Sequence, residues 1–172
     1  CWNVIKLPGE LFRSTIKEIG AKYYPEVQID DYHIDAMTAH MVRRLKDFDV
    51  IITTNLFGDI ISDLAGELTG SLGLGPAINT NDHQCMAQAA HGSAPDIAGR
   101  NIANPVGIML SAVMMFEWLA DRYEDEKLQK VADLMQNGVL KTMEEGYVTP
   151  DLGGEASTSS FAEAIAEKIK NA

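Results

Sequence analysis

The chain has 172 residues, of which 46% are hydrophobic and 23% charged, a composition typical of a soluble globular protein rather than of a disordered or collagen-like one. Asp and Glu outnumber Lys and Arg by 25 to 14, and the resulting net charge of −11 argues against nucleic acid or an anionic membrane as a partner. No apolar run reaches bilayer length and no signal peptide is recognisable, so we expect a cytoplasmic protein with two free thiols.

Helix and strand patterns alternate along the first half of the chain. The spacing of apolar residues predicts helices over 10–24 and 36–45, whereas alternation at 27–34 and a β-branched run at 48–54 predict strands. Residues 59–68 then return to a helical period. This order favours an α/β layered architecture.

The second half begins with a turn-rich stretch, 69–83, which we interpret as a connection and a domain crossing. A short strand is predicted at 85–90, and a long loop without a clear period follows at 91–105. Loops of this length inside a domain are often functional. The remaining apolar patterns predict three helices, at about 106–120, 126–144 and 158–170.

Two aspartates stand four residues apart in the segment NLFGDIISD, residues 55–63. Asp59 and Asp63 share one face of the predicted helix. They form either an exposed acidic flank, with Asp59 as a capping residue, or two ligands of a hard divalent cation such as Mg²⁺ or Mn²⁺. Asp35, at a predicted strand-to-helix junction, is either a helix N-cap or a third ligand.

The loop HGSAPDIAG, residues 91–99, offers small residues and backbone N–H groups just after a predicted strand, which is where open α/β sheets bind ligands. Asp96 is suited to accept hydrogen bonds from the two hydroxyls of a ribose and would repel a 2′-phosphate. The alternative is an ordinary turn with Pro95 and Asp96 at turn positions. His91 either contacts a ligand or is a structural imidazole, and no GxGxxG sequence supports a standard dinucleotide site.

Several segments together closely resemble the isocitrate and isopropylmalate dehydrogenase family of β-decarboxylating dehydrogenases. They are YHIDAM, FDVIITTNLFGDIISDLAGELTGSLGL, HGSAPDIAGRNIANP, MLSAVMM and PDLGGEASTSSF, and their order and spacing match over nearly the whole chain. The resemblance implies the α/β, two-domain layered fold of that family, of which this chain carries only the C-terminal half. By that analogy, residues 1–69 belong to the smaller dimer-forming domain and residues 70–172 to the large nucleotide-binding domain.

The resemblance also implies an activity, the oxidation of a 2-hydroxy diacid by NAD or NADP followed by loss of CO₂. Asp59 and Asp63 match the family's metal-binding pair. Asp35 matches a metal-binding carboxylate that the other subunit of a homodimer contributes, and Asp35 and Asp59 are the expected catalytic residues. A bound Mg²⁺ or Mn²⁺ would polarise the new carbonyl group and stabilise the enolate formed on decarboxylation.

The adenosine-binding loop of the family matches seven consecutive residues, His91, Gly92, Ser93, Ala94, Pro95, Asp96 and Ile97. Asp96 holds the position that accepts the ribose hydroxyls, and Asn104 matches a position that lines the adenine pocket. Family members that use NADP have a basic residue in place of Asp96 and commonly a Tyr in place of Ile97. The resemblance therefore implies NAD as the cofactor.

Two departures from the family pattern limit this interpretation. The family's first half, with the arginines that bind the substrate carboxylates and a catalytic tyrosine, is not in this sequence, and Cys1 stands where the family has a catalytic lysine. We therefore expect a fragment or processed chain of a longer protein. A non-catalytic half-chain or degenerate subunit, which binds nucleotide or a partner, is the alternative.

The choice of substrate rests on two short segments. NLFGD and HGSAPDIAG look more like the isopropylmalate, tartrate and D-malate branch of the family than like typical bacterial isocitrate enzymes. The expected substrate of the parent enzyme is thus a 2-hydroxy diacid such as 3-isopropylmalate. Isocitrate, homoisocitrate, tartrate and D-malate are the alternatives.

Overall fold

The chain divides between Leu68 and Thr69 into two units, residues 1–68 and 69–172. The structure, a computed structural model, describes residues 6–171, with side chains described from residue 9 onward. Cys1, at the position of the family lysine, lies outside the described residues. Which parental domain each unit belongs to stays a prediction.

The described part of the first unit is helical, with a core built by two methionines. It contains α1 (Lys6–Tyr23), α2 (Ile34–Arg44) and α3 (Asn55–Leu68). Met37 and Met41 lie one turn apart on α2 and are each 1% exposed, because residues four apart share a helix face. Both cluster with Ile61 of α3, and this contact joins the two helices.

Ion pairs attach the segment after α1 back to that helix. Arg13 Nε donates to Asp31 Oδ2 at 2.9 Å, and Lys17, one turn further along α1, contacts the same oxygen. The hydrogen bonds from Lys17 and Arg13 lower the pKa of the Asp31 carboxyl to about 2, so it is charged at neutral pH. Since such pairs lie at the surface, each contributes little to the stability of the fold.

The second unit contains a hairpin packed on a helix. Strand β1 (Pro76–Thr80) pairs with β2 (Cys85–Ala89) in antiparallel register, with Pro76 opposite Ala89. The buried Ser111 hydroxyl accepts from the N–H of Ala77 at 3.1 Å and lies 2.6 Å from the carbonyl oxygen of Gln88. Ser111, on the helix that follows the hairpin, thereby contacts both strands.

Three long helices complete the second unit, α4 (Val106–Tyr123), α5 (Glu126–Glu144) and α6 (Thr158–Lys170). Their core contains Val106, Val139, Ala156, Phe161 and Ile165. Gly107 at the start of α4 has no room for a side chain, because a Cβ there would lie 2.9 Å from the carbonyl oxygen of Gly73. This close approach fixes the connection 69–75 against α4, beside the loop 91–105.

All predicted helices and the strand at 85–90 are confirmed, with shifts of a few residues at their ends. The strands predicted at 27–34 and 48–54 are wrong, since neither range contains a strand. Val50 is 80% exposed, whereas β-branched runs of this kind are typical of the buried middle of a sheet. A β-branched run by itself does not define a strand, because strand preference depends on packing against neighbouring side chains.

Two expectations drawn from composition concern the cysteines and the membrane. Cys85 is a half-buried free thiol, as predicted. Among the described residues, every helix is too short or too polar to cross a bilayer.

Candidate functional site

The two aspartates of NLFGDIISD lie on the exposed surface of α3. Because α3 begins at Asn55, Asp59 and Asp63 follow one and two turns into the helix and point to the same side. The salt bridges formed by the described residues involve neither side chain. Among the described side chains, the hydrogen-bond donor to this pair is Asn55 Nδ2, which lies 3.5 Å from Asp59 Oδ2, so the described residues leave most of these carboxylate oxygens uncompensated.

Neither capping alternative is correct. Asp59 is too far into α3 to cap it, and His33 holds the N-cap position of α2. Asp35 instead lies exposed in the first turn of α2, where its Oδ1 accepts from the N–H of Ala36 at 2.8 Å. All three predicted metal ligands are therefore solvent-accessible carboxylates.

These three carboxylates do not form a complete metal site in a single chain. Within residues 6–171, no group of three or more His, Cys, Asp or Glu side chains could hold a metal ion. Asp59 and Asp63 thus form a two-carboxylate pair, and hard divalent cations prefer such oxygen ligands together with water and substrate oxygens. The donor set fits Mg²⁺ or Mn²⁺, and it is incomplete without further ligands.

The predicted nucleotide loop follows β2 and contains a tight turn. Residues Pro95–Ile97 form a single turn of 3₁₀-helix, in which the N–H of Ile97 donates to the carbonyl of Ala94 at 3.1 Å. Ala94 has a φ of 41°, a left-handed conformation that costs a non-glycine residue about 1–2 kcal/mol. The turn exposes Asp96 and leaves Ile97 half-buried. A strained turn of this kind is a common feature of ligand-binding loops.

The start of the loop is open to solvent. Gly92 has an ordinary φ, and a Cβ added to it would have no neighbour within 4 Å in the described structure. His91 Nδ1 donates to the carbonyl of Gly92 at 2.8 Å, since a carbonyl oxygen can only accept. Ser93, Ala94 and Pro95 are also exposed. Neither conformation nor internal packing requires the glycine, so the space in front of it is available to a ligand.

Asn104, at the end of the loop, is buried and held at both ends of its amide. It is 8% exposed. Its Oδ1 accepts from the N–H of Val106 at 3.0 Å, and its Nδ2 donates to Asp151 Oδ2 at 2.9 Å. Both polar ends of its side chain are therefore hydrogen-bonded within the protein. Any ligand contact through this residue has to come largely from its backbone.

Asp151 is a polar centre that sequence reasoning missed. Ser71 Oγ donates to its Oδ2 at 2.5 Å, and Thr149 Oγ1 donates to its Oδ1 at 2.5 Å. Partial burial by itself would raise the pKa of this carboxyl, but the hydrogen bonds from Ser71, Thr149 and Asn104 outweigh it, so the pKa lies below its ordinary value. The carboxylate is charged at neutral pH and accepts three strong hydrogen bonds.

Comparison with known proteins identifies the family. A model of the isocitrate/isopropylmalate dehydrogenase family matches residues 2–165. The chain belongs to the isocitrate/isopropylmalate dehydrogenase family. The predicted resemblance is thereby confirmed.

Relatives and solved structures of this family match nearly all of the chain. It is 45% identical over 169 residues to the isocitrate/homoisocitrate dehydrogenase of Thermus thermophilus, covering 98% of this chain and 48% of the relative. It is 44% identical to the 3-isopropylmalate dehydrogenase of Archaeoglobus fulgidus, covering 97% of this chain and 49% of the relative. The crystal structure of isocitrate dehydrogenase from Methylococcus capsulatus is 40% identical, with a TM-score of 0.88 over 98% of this chain and 48% of that one.

The chain thus spans about half the length of the relatives it matches. The predicted α/β fold class, the C-terminal half of the family fold, is confirmed by the structural match. The family assignment does not test individual site residues, so the metal role of the three aspartates and the nucleotide role of 91–97 and Asn104 stay predictions.

Proposed function

We propose that the protein carrying this chain is an NAD-linked, Mg²⁺- or Mn²⁺-dependent dehydrogenase that oxidises and decarboxylates a 2-hydroxy diacid. The observation that carries this proposal is that Asp59 and Asp63 share one exposed face of α3 and that no salt bridge of the described residues includes either of them, in a chain of the isocitrate/isopropylmalate dehydrogenase family. An exposed acidic pair without a basic partner is unfavourable for the helix alone. A bound divalent cation would offset that repulsion.

The metal would be held by Asp59 and Asp63, with Asp35 supplied by the partner subunit. When bound, such a cation stabilises negative charge on substrate oxygens. The chain's own contribution is to present the two carboxylates from the exposed face of α3, while Ile61, between them in sequence, is buried in the core of the first unit. That anchoring sets the direction of both side chains.

The nucleotide would bind against residues 91–97. Asp96 stands exposed at the tight turn and can accept from both ribose hydroxyls, a role that favours NAD over NADP. The open space in front of Gly92 permits a bulky group to approach the backbone. Ile97, half-buried behind Asp96, supplies an apolar contact.

We favour 3-isopropylmalate or a closely related diacid as the substrate, on the strength of NLFGD and HGSAPDIAG. The names of the two relatives above include isocitrate, homoisocitrate and 3-isopropylmalate at nearly equal identity, 45% and 44%. Isocitrate, homoisocitrate, tartrate and D-malate are therefore the compounds to compare with it.

A direct assay tests the proposal. The natural gene product that contains this sequence, mixed with NAD, Mn²⁺ and each diacid in turn, is expected to form NADH and release CO₂ in equal amounts, and chelation of the metal is expected to stop both. Absorbance of NADH and a coupled CO₂ measurement give the two yields. Binding of NAD without turnover on any of these diacids would instead support the non-catalytic subunit.

We also propose a homodimer in which Asp35 reaches the partner's site, and a hybrid dimer tests it. The variants Asp35→Asn and Asp59→Asn are each expected to be inactive alone. A dimer with one chain of each kind has one site with both native carboxylates, so joint refolding in equal amounts is expected to restore about a quarter of the wild-type activity. If Asp35 served the site of its own chain, every hybrid site would be defective and no activity would return.

A further inference from the structure

We propose that Asp151 is a positioning residue of the nucleotide site, which holds the Asn104 side chain and thereby the end of the loop 91–105 in the shape that accepts the adenosine part of NAD. The inference rests on the proposed function and deepens it. Asp151 lies outside the loop, and the predicted nucleotide-binding residues do not include it.

The Asn104 side chain is fixed by hydrogen bonds at both ends of its amide. Its amide joins the N–H of Val106, at the start of α4, to the Asp151 carboxylate. Removal of the carboxylate would leave Nδ2 of an 8% exposed side chain without its acceptor. A buried donor without a partner is unfavourable, so the amide would turn towards water and move the loop end with it.

Asp151 is itself held in place by its backbone turn and by two hydroxyl groups. Its 3₁₀ turn, Pro150–Leu152, is closed by the N–H of Leu152, which donates to the carbonyl of the fully buried Thr149 at 3.0 Å. Ser71 and Thr149 direct their hydroxyls at its two oxygens. The carboxylate therefore has a fixed position from which to orient Asn104.

Further hydrogen bonds link the loop 91–105 to the segment that follows Asp151. Asn101 has a φ of 56°, and its Oδ1 accepts from the N–H of Ser159 at 3.2 Å. The neighbouring Thr158 donates its hydroxyl to the carbonyl of Ala103 at 2.6 Å. The segment that carries Asp151 and the N-terminus of α6 thus contacts the end of the nucleotide loop at three residues, Asn101, Ala103 and Asn104.

The test compares NAD affinity among variants of the natural gene product, measured by titration calorimetry with NAD and with ADP-ribose. Asp151→Ala is expected to raise the Kd for both ligands about tenfold, which corresponds to a loss of about 1.4 kcal/mol in binding free energy. Asp151→Asn is expected to stay within about threefold of the wild type, because its amide oxygen can still accept from Asn104. The Kd for Mn²⁺ is expected to be unchanged in both.

Thr142→Val is the matched control, because it removes a buried hydroxyl that donates to the carbonyl of Gly138 at 2.7 Å within α5, and it leaves the hydrogen bonds of Asp151 and Asn104 in place. It is expected to lower Tm and to leave the Kd for NAD within about twofold. Equal Kd values for wild type and Asp151→Ala, or equal losses in Asp151→Ala and Thr142→Val, would overturn the positioning role and leave the proposed function intact. If Asp151→Ala does not fold, Asp151→Glu, which keeps the charge and displaces its oxygens, must weaken NAD binding. A wild-type protein that does not bind NAD would overturn both proposals.

Discussion

Asp59→Asn in the full-length protein is expected to abolish Mn²⁺-dependent NADH formation from a 2-hydroxy diacid, with kcat/KM lower by about a thousandfold or more. The amide keeps the size of the side chain but removes the charge that binds the cation. Asp59 is exposed on α3 and the core contact of that helix is made by Ile61, so the fold is expected to be preserved. The measurement is a steady-state assay over a range of Mn²⁺ concentrations.

Glu67→Gln provides the matched control for this variant. Glu67 is an exposed carboxylate on the same helix, and its neutralisation changes the net charge by the same amount. It is expected to keep near wild-type turnover, and NAD binding is expected to persist in both variants. Undiminished turnover by Asp59→Asn would reject the metal-binding role of the pair.

Asp96→Lys is expected to raise the Kd for NAD by about tenfold or more, because the ribose hydroxyls lose a charged acceptor. The new ammonium group would also attract a 2′-phosphate, so the preference for NAD over NADP is expected to fall further than the NAD affinity itself. Titrations with both dinucleotides measure the two effects. The Kd for Mn²⁺ is expected to be unaffected, because Asp96 is not among the proposed metal ligands.

The control for Asp96→Lys is Asp121→Lys on α4, which makes the same change of charge at another exposed position of the second unit. General electrostatic attraction of an anionic dinucleotide would appear in both variants. If Asp96→Lys binds NAD as tightly as Asp121→Lys does, Asp96 makes no ribose contact.

The helices could be predicted because their signal is local. Apolar residues such as Met37 and Met41 recur at helical spacing and mark the buried face directly. Whether a segment forms a strand depends also on residues far away in the sequence. The local patterns at 27–34 and 48–54 therefore predicted strands that the structure does not contain. Strand β1 was missed for a related reason, since PAINT lies within a Gly- and Asn-rich stretch typical of a turn.

The same distinction applies to the candidate site. Asp59 and Asp63 share a face because of their spacing alone, which the sequence contains. Asp151 could not be found this way, since Asn104 is 47 residues and Ser71 80 residues away from it. Its local sequence, a Pro-Asp-Leu-Gly turn, is consistent with any surface loop.

The distances along the chain between Asp151 and its partners also set an order of assembly. Ser71 and the loop 91–105 are synthesised well before residues 149–159, and their contacts with this later segment span 47 to 80 residues. Closing such large loops is slow compared with forming a helix. The hairpin and α4 can therefore pack early, whereas the end of the loop reaches its final shape only once the segment up to Ser159 has left the ribosome.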